Sequence, residues 1–175
     1  MLPEVLIAYT TRGGSTAEIA EALGVGLRDR GVMVSVQPMQ CVESLQNWTA
    51  IILGAPLYIG RFPRDLHRFL AHHREELAGL RSWFFAIGPT ENRPKDFDAA
   101  RQQALRQLAS YPWFHPAELR ILGGRFDLQH LPFPYSLLRH LPSSAIRKFP
   151  SGDIRDWAAI RAWGRDIAGQ VKPAA

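Results

Sequence analysis

The sequence predicts a single α/β domain in which helices cover both faces of a doubly wound, five-stranded parallel sheet. Two observations lead to this fold class. Five short apolar runs, bounded by Gly, Pro or polar residues, alternate along the 175 residues with segments of helical periodicity. Parallel strands separated by helices need crossovers, and right-handed crossovers place helices on both faces of the sheet. The expected strand order is 2-1-3-4-5.

The apolar pattern predicts the bounds of the five strands and of the first helix. The predicted strands cover residues 5–9, 32–36, 50–53, 83–87 and 119–122. The first helix is predicted over residues 15–30, with Ile19, Leu23 and Leu27 on its apolar face. It stops at Gly31, since glycine is common just after the end of a helix.

Three further helices are predicted between and after the other strands. One begins at Pro63, a residue suited to the first helical turn. The other two cover residues 98–108 and 154–171. Ser151 or Asp153 is expected to cap the last of them. The second crossover differs, because residues 38–48 leave room only for a short or irregular element.

Residues 125–150 interrupt the alternation and are predicted to form an insert within the single domain 1–175. Phe, Leu and Tyr residues stand there beside Arg and Lys residues. Such a mixture suits a surface that meets an anionic amphiphile or the bilayer interface. The alternative is a long loop that covers the edge of the sheet, or that buries its apolar residues against a second subunit in a homodimer.

The overall charge favours acidic partners. The formal net charge is +5 and the isoelectric point is about 9.9. An anionic membrane surface or a substrate that bears carboxylates fits this charge. Nucleic acid is not expected as a partner, because the basic residues are scattered and no binding motif is present.

Cysteine usage and hydropathy limit the location and the chemistry. Cys41 is the single cysteine, so an internal disulfide is excluded, a metal site is not expected, and a reduced, partly buried thiol is predicted. No apolar run approaches the ~20 residues that span a bilayer, and no export signal is evident. We therefore expect a cytoplasmic protein, either free or peripheral at the inner face of the membrane.

The turn from the first strand into the first helix contains the most informative motif. Its residues are Thr10, Thr11, Arg12, Gly13, Gly14, Ser15 and Thr16. Glycines allow close approach of the backbone to an anion, hydroxyls donate hydrogen bonds, and the N-terminus of a helix favours negative charge. This pattern predicts a phosphate site. The alternative is that the hydroxyls only cap the helix and the glycines only form a turn.

Two later loops follow the third and fourth strands and should reach the same edge of the sheet. The relevant residues are Pro56, Leu57, Tyr58, Ile59 and Gly60 in one loop, and Gly88, Pro89 and Thr90 in the other. Apolar and aromatic side chains between glycines suit the face of a planar apolar ring. For each loop alone, ordinary packing and turn formation explain the residues equally well, so the prediction depends on the convergence of all three loops.

Other polar residues show no catalytic pattern. His67, His72 and His73 lie on or near one predicted helix, where a solvated basic face is the expected arrangement. Glu75 and Glu76 are expected to be a solvated carboxylate pair. No Ser/His/Asp set or pair of acids is brought together by the order of the elements.

These motifs resemble those of the flavodoxin superfamily over essentially the whole chain. The sequence is also similar to the flavodoxin-domain proteins grouped near the menaquinone-dependent protoporphyrinogen oxidase. Three features carry that narrower resemblance: Arg12 in the first loop, the stretch Gly-Gly-Arg-Phe-Asp at 123–127 with the insert behind it, and Gly-Asp-Ile-Arg-Asp-Trp at 152–157. Tyr58 stands where a basic residue is expected in the oxidase branch.

The resemblance implies the cofactor FMN, with its phosphate at residues 11–16 and its ring held by residues 56–60 and 88–90. It also implies an oxidoreductase that passes electrons to a quinone or another redox partner. An amphipathic carboxylate substrate would then pair with Arg61 and Arg125. Two alternatives remain: a one-electron carrier, which the positive charge disfavours, and a binding module of the same fold without a cofactor.

Overall fold

A computed structural model describes residues 4–126 and 152–171. Its main sheet has five parallel strands in the order 2-1-3-4-5, which confirms the predicted fold class. The strands are β1 (Glu4–Tyr9), β2 (Met33–Pro38), β3 (Ala50–Pro56), β4 (Arg81–Ile87) and β5 (Leu119–Leu122). Strand β1 pairs with β2 and β3, so the chain reverses its direction across the sheet beside β1.

Helices lie on both faces of this sheet. They are α1 (Ser15–Arg28), α2 (Arg64–His72), α3 (Arg74–Gly79), α4 (Pro94–Leu108) and α5 (Trp157–Val171). The second crossover contains only a 3₁₀ turn at Met39–Cys41, the short element that the sequence predicted. Cys41 is exposed on this turn, so the expectation of a partly buried thiol is wrong.

Successive strand residues point to opposite faces and supply two separate cores. Leu6, Ile51 and Phe84 pack on one face with residues of α2 and α4. Ile7 and Phe85 pack on the other face with residues of α1 and α5. Because side chains alternate along a strand, a continuous apolar strand serves both cores at once.

The last helix begins later than predicted and has a different cap. It starts at Trp157 instead of Ile154, and the Asp156 carboxylate accepts a hydrogen bond from the Ala159 N–H at 2.9 Å. A carboxylate in this position satisfies a free N–H of the first turn. Asp153 contacts Arg155 instead, and Ser151 lies outside the described residues.

A second, two-stranded sheet joins the ends of the predicted insert. Strand β6 (Arg125–Phe126) pairs antiparallel with β7 (Gly152–Asp153). The two ends of the predicted insert therefore lie beside each other. The insert itself lies outside the described residues, so its predicted surface and its alternatives stay predictions. In the described residues, no helix combines the length and the apolar character needed to cross a membrane.

Candidate functional site

The loops after β1, β3 and β4 meet at one edge of the sheet, as their strand positions predict. The Thr10 N–H donates to the Gly54 carbonyl at 2.9 Å, and the Leu57 N–H donates to the Ile87 carbonyl at 2.8 Å. These hydrogen bonds continue the strand pairing into the loops. The loop residues that the sequence singled out therefore lie beside one another, although they are far apart in the chain.

The first loop leaves the start of α1 without a side-chain cap. Gly14 occupies the capping position with a φ of +82°, a left-handed conformation that favours glycine. The Thr11 hydroxyl accepts a hydrogen bond from the Gly14 N–H at 3.0 Å, and Thr16 is buried. Neither Ser15 nor Thr16 caps the helix. The observed geometry therefore differs from the simple capping alternative and keeps the first N–H groups of α1 available to an anion.

The Tyr58 hydroxyl of the second loop lies near the backbone of the first loop. Burial raises the pKa of the Tyr58 hydroxyl above its ordinary value of 10.0, while hydrogen bonds from the backbone N–H groups of Arg12 and Gly13 act in the opposite direction. The first loop and the Tyr58 hydroxyl are therefore neighbours. Successive backbone N–H groups in a turn of this kind are suited to a phosphate oxygen.

The Arg12 side chain extends away from the helix and toward the second loop. Its guanidinium carbon lies 5.9 Å from the centre of the Tyr58 ring. A cation over an aromatic face is attracted by the negative charge of that face. The Arg12 side chain therefore contacts the second loop, and its backbone belongs to the predicted phosphate loop.

The second loop forms a tight hairpin after Pro56, the buried last residue of β3. The N–H groups of Tyr58 and Arg61 each donate to the other residue's carbonyl at 2.9 Å. Ile59 and Gly60 at its tip have φ values of +48° and +71°. Positive φ at both central residues is the geometry of a type I′ turn, which a β-branched residue such as isoleucine rarely adopts.

Helix α4 holds this hairpin through a residue that the sequence did not reveal. The Gln107 side-chain amide donates to the Gly60 carbonyl at 2.8 Å, and its oxygen accepts from the Phe62 N–H at 3.0 Å. The contact joins residues more than 40 positions apart. A lone glutamine on a polar helix face gives no signal for such a role.

The third loop borders a cavity together with the hairpin. Leu57 and Gly60 face Gly88, Pro89 and Thr90 across a space of about 300 Å³. A Cβ atom on Gly88 would lie 3.0 Å from an Ile121 methyl group, so a side chain larger than hydrogen would crowd this turn. The second and third loops thus border one cavity, and the binding of a ring there stays a prediction.

A buried arginine supports the phosphate loop from the opposite side. Only 3% of the Arg155 side chain is exposed. It donates to Glu18 at 2.6 Å, to Asp153 at 2.7 Å and to the Ser15 hydroxyl at 3.4 Å. The pKa of Asp153 is lowered, first by the hydrogen bond from Arg155. The motif at 152–157 marked this segment, but sequence alone did not show that Arg155 reaches α1.

The two arginines predicted to pair with substrate lie in different places. Arg61 is exposed beside Tyr58 and lines an open groove. Arg125 lies 3.8 Å from the Glu18 carboxylate, near Arg155 and the start of α1. The structure thus brings Arg61 next to the candidate site and associates Arg125 with the support of the phosphate loop.

The histidine and glutamate expectations are wrong in part. His73 is buried, and its Nδ1 lies 2.6 Å from a Glu76 carboxylate oxygen. Glu76 also accepts a hydrogen bond from the Leu45 N–H at 2.7 Å, and the His73 contact is the main cause of its lowered pKa. Glu76 thus joins α3 to the segment before β3, and the 31 positions between Leu45 and Glu76 hid this contact from the sequence.

The chain matches a known protein family in sequence and in fold. A family model described as a flavodoxin domain matches residues 6–135, which is most of the chain. The chain belongs to the flavodoxin domain family. Flavodoxin 1 from Bacillus cereus superposes with a TM-score of 0.60 at 15% identity, covering 95% of this chain and 97% of that one. At this identity, the superposition shows a shared fold.

Two relatives that match nearly the whole chain are oxidoreductases by name. Protoporphyrinogen IX dehydrogenase [quinone] from Escherichia coli K12 is 22% identical over 176 residues, which cover 94% of each chain. The protein of the same name from Leishmania major is 24% identical over 178 residues, covering 95% of this chain and 75% of that one. The flavodoxin-like chain is thus homologous to oxidoreductases over nearly its whole length.

Proposed function

We propose that the protein is an FMN-dependent oxidoreductase that oxidises a porphyrinogen-like substrate and delivers the electrons to a quinone. The observation that carries this proposal is the meeting of three loops around one crevice. The uncapped start of α1 leaves backbone N–H groups for a phosphate, and the second and third loops border a cavity in which Leu57 and Pro89 offer apolar surface among polar side chains.

In this proposal residues 11–16 bind the phosphate of FMN, and residues 56–60 and 88–90 hold its ring. When bound, FMN supplies a route for two electrons from the substrate to the acceptor, which the protein side chains cannot provide. The protein positions the ring and excludes water from one side of it. Tyr58 is protonated at neutral pH, since the ordinary tyrosine pKa is 10.0 and burial raises it further, so its hydroxyl can donate a hydrogen bond.

The substrate class comes from the relatives and from the charge. The two relatives from Escherichia coli and Leishmania major act, by name, on protoporphyrinogen IX with a quinone. A porphyrinogen is an apolar macrocycle with carboxylate arms, and a quinone is an apolar ring. The net charge of +5 favours such acidic substrates, and it also favours contact with the anionic membrane surface where quinones reside. Docking to a protein redox partner is the alternative route for the electrons.

The first experiment is the visible spectrum of purified protein before and after addition of FMN and gel filtration. Bands near about 370 and 450 nm that co-elute with the protein are expected. The Thr11→Val variant, which removes one hydroxyl from the phosphate loop, should retain less FMN but bind riboflavin as the wild type does. Protein that retains no flavin would contradict the proposal and favour the cofactor-free binding module.

The second experiment tests the reaction on the flavin-loaded protein. Anaerobic incubation with protoporphyrinogen and a short-chain quinone should give protoporphyrin fluorescence and quinol in step. Each two-electron oxidation removes two electrons and two protons from the substrate and converts one quinone to one quinol. Retained flavin without this turnover would leave the one-electron carrier as the better account.

A further inference from the structure

The groove beside the hairpin differs in charge from the rest of the site. We call it the arginine groove and define it by Arg12, Arg61, Arg64, His67, Tyr58 and Phe62. Its volume is about 760 Å³, within the range of pockets that hold small organic ligands. Gly60 borders both this groove and the cavity predicted for the flavin ring. The groove and the cavity are therefore neighbours.

The cations of the groove lack carboxylate partners among the residues that the structure describes. Arg12, Arg61 and Arg64 are exposed, and across 4–126 and 152–171 no Asp or Glu oxygen lies within 4 Å of their guanidiniums. In the described part of the chain, no acidic residue lines the groove. By contrast, Arg68, on the same helix as Arg64, contacts Asp65 at 3.8 Å. The groove thus concentrates positive charge that is free to meet an anionic ligand.

The groove also offers apolar surface next to these cations. The Tyr58 ring and Phe62 border it, and the Ile59 side chain at the hairpin tip is 86% exposed. Isoleucine is held there at a φ of +48°, where glycine or asparagine would be less strained. An exposed apolar side chain in a strained turn is typical of a position that contacts a ligand.

We propose that the arginine groove binds the carboxylate arms of the substrate, with the apolar macrocycle lying along Tyr58 and Ile59 toward the ring cavity. This assignment rests on the proposed function, since it concerns the substrate of the same site. Arginine suits the role because its planar donors match a carboxylate in two parallel hydrogen bonds. The ligand class is an apolar ring with two or more carboxylates.

The test uses coproporphyrin, an oxidised macrocycle with four carboxylates, and its uncharged tetramethyl ester. Binding to the FMN-loaded protein is measured by fluorescence anisotropy, with both probes in the same dilute non-ionic detergent. The acid should bind at least about tenfold more tightly than the ester, and its affinity should fall with salt because the groove is open. Equal binding of acid and ester would overturn the proposal.

Variants separate the groove from general surface charge. The double variant Arg61→Gln/Arg64→Gln should weaken coproporphyrin binding by about tenfold or more. The matched control Arg68→Gln, one turn along the same helix, should stay within about twofold of the wild type. Both changes are at exposed positions and should leave folding and flavin content unchanged. A double variant that binds as the wild type does would contradict the assignment.

The same measurements distinguish failure of the groove from failure of the proposed function. Coproporphyrin binding is read by the probe's own fluorescence and does not require turnover. Binding that depends on Arg61 and Arg64, in a protein that does not oxidise porphyrinogen, would retain the groove and reject the reaction. Turnover that is unchanged in the double variant would retain the reaction and reject the groove.

Discussion

At the scale of single residues, Ile59 is the most unusual position in the described chain. Among the described residues, Ile59 is the single non-glycine residue with a positive φ. Its side chain is almost wholly exposed. A left-handed conformation costs an ordinary L-residue roughly 1–2 kcal/mol. Because Ile59 buries little apolar area, packing does not offset this cost. Ile59 lines the arginine groove, where its exposed side chain would contact a ligand bound as we propose.

Replacing Ile59 should reveal the strain directly. We expect Ile59→Asn to raise the free energy of unfolding by about 1 kcal/mol, because asparagine tolerates positive φ and no buried contact is lost. Ile59→Val is the matched control, since valine keeps the β-branch and should leave stability unchanged. Urea unfolding of the three proteins provides the measurement. An asparagine variant no more stable than the wild type would show that the turn is unstrained.

At the scale of elements, α1 and α5 pack through glycines. A Cβ atom on Gly164 would lie 2.4 Å from the Leu23 carbonyl oxygen, and one on Gly26 would lie 2.2 Å from the Arg161 carbonyl oxygen. Backbone atoms cannot yield as a flexible side chain can. The two helices therefore approach so closely that only glycine fits at their crossing. Since α1 begins at the phosphate loop, its position controls the geometry of that loop.

Alanine at the crossing should push the helices apart. Gly164→Ala is expected to lower the free energy of unfolding by about 2–3 kcal/mol through overpacking. Gly169→Ala, on the same helix with nothing within 4 Å of the new Cβ, should instead raise it by up to about 1 kcal/mol. Thermal unfolding measured side by side separates the two effects. Destabilisation of similar size in both variants would mean that helix propensity, not the crossing, decides the result.

At the scale of the whole molecule, Arg155 links the end of the chain to its beginning. Its contact with Glu18 joins residues 137 positions apart, and Trp157 covers its guanidinium with a ring centre 4.4 Å away. Glu18 lies in the first turn of α1, where its negative charge would repel a phosphate. Arg155, with Arg125 nearby, neutralises that charge. The segment around Arg155 thus reduces the negative charge beside the predicted phosphate loop.

Removing this charge should affect FMN more than riboflavin. We expect Arg155→Gln to weaken FMN binding by about tenfold, while riboflavin, which has no phosphate, changes by less than about twofold. The double variant Glu18→Gln/Arg155→Gln should recover FMN affinity, because it removes the repelling carboxylate as well. Flavin fluorescence titrations give the constants. Equal losses for both flavins would indicate a general loss of structure.

The pH dependence of stability provides a separate check on Arg155. Its hydrogen bond holds the pKa of Asp153 below the ordinary value of 3.8. A lowered carboxyl pKa stabilises the fold above the unfolded value, and this stabilisation is lost as the pH falls through the lower folded value. The stability difference between wild type and Arg155→Gln should therefore narrow on acidification below pH 3.8.

Sequence patterns predicted the parts of the molecule that depend on local residues. The apolar runs gave five strands close to their observed bounds, and the hydroxyl–glycine loop marked the start of α1. Local signals were weaker at helix ends: α4 begins at Pro94, ahead of the predicted residue 98, and α5 begins after Asp156. Several residues within reach can cap a helix, so composition alone does not choose among them.

The sequence by itself determined the fold class, the strand order and the three loops that form the crevice, because periodicity and turn residues are encoded locally and parallel crossovers follow one hand. Only the tertiary structure decided which side chains serve those loops. Their contacts join residues far apart in the chain. Examples are those of Gln107 with the hairpin and of Arg155 with the start of α1, and the grouping of the arginines in the groove has the same origin. Such contacts exist only after the sheet has brought its loops to one edge.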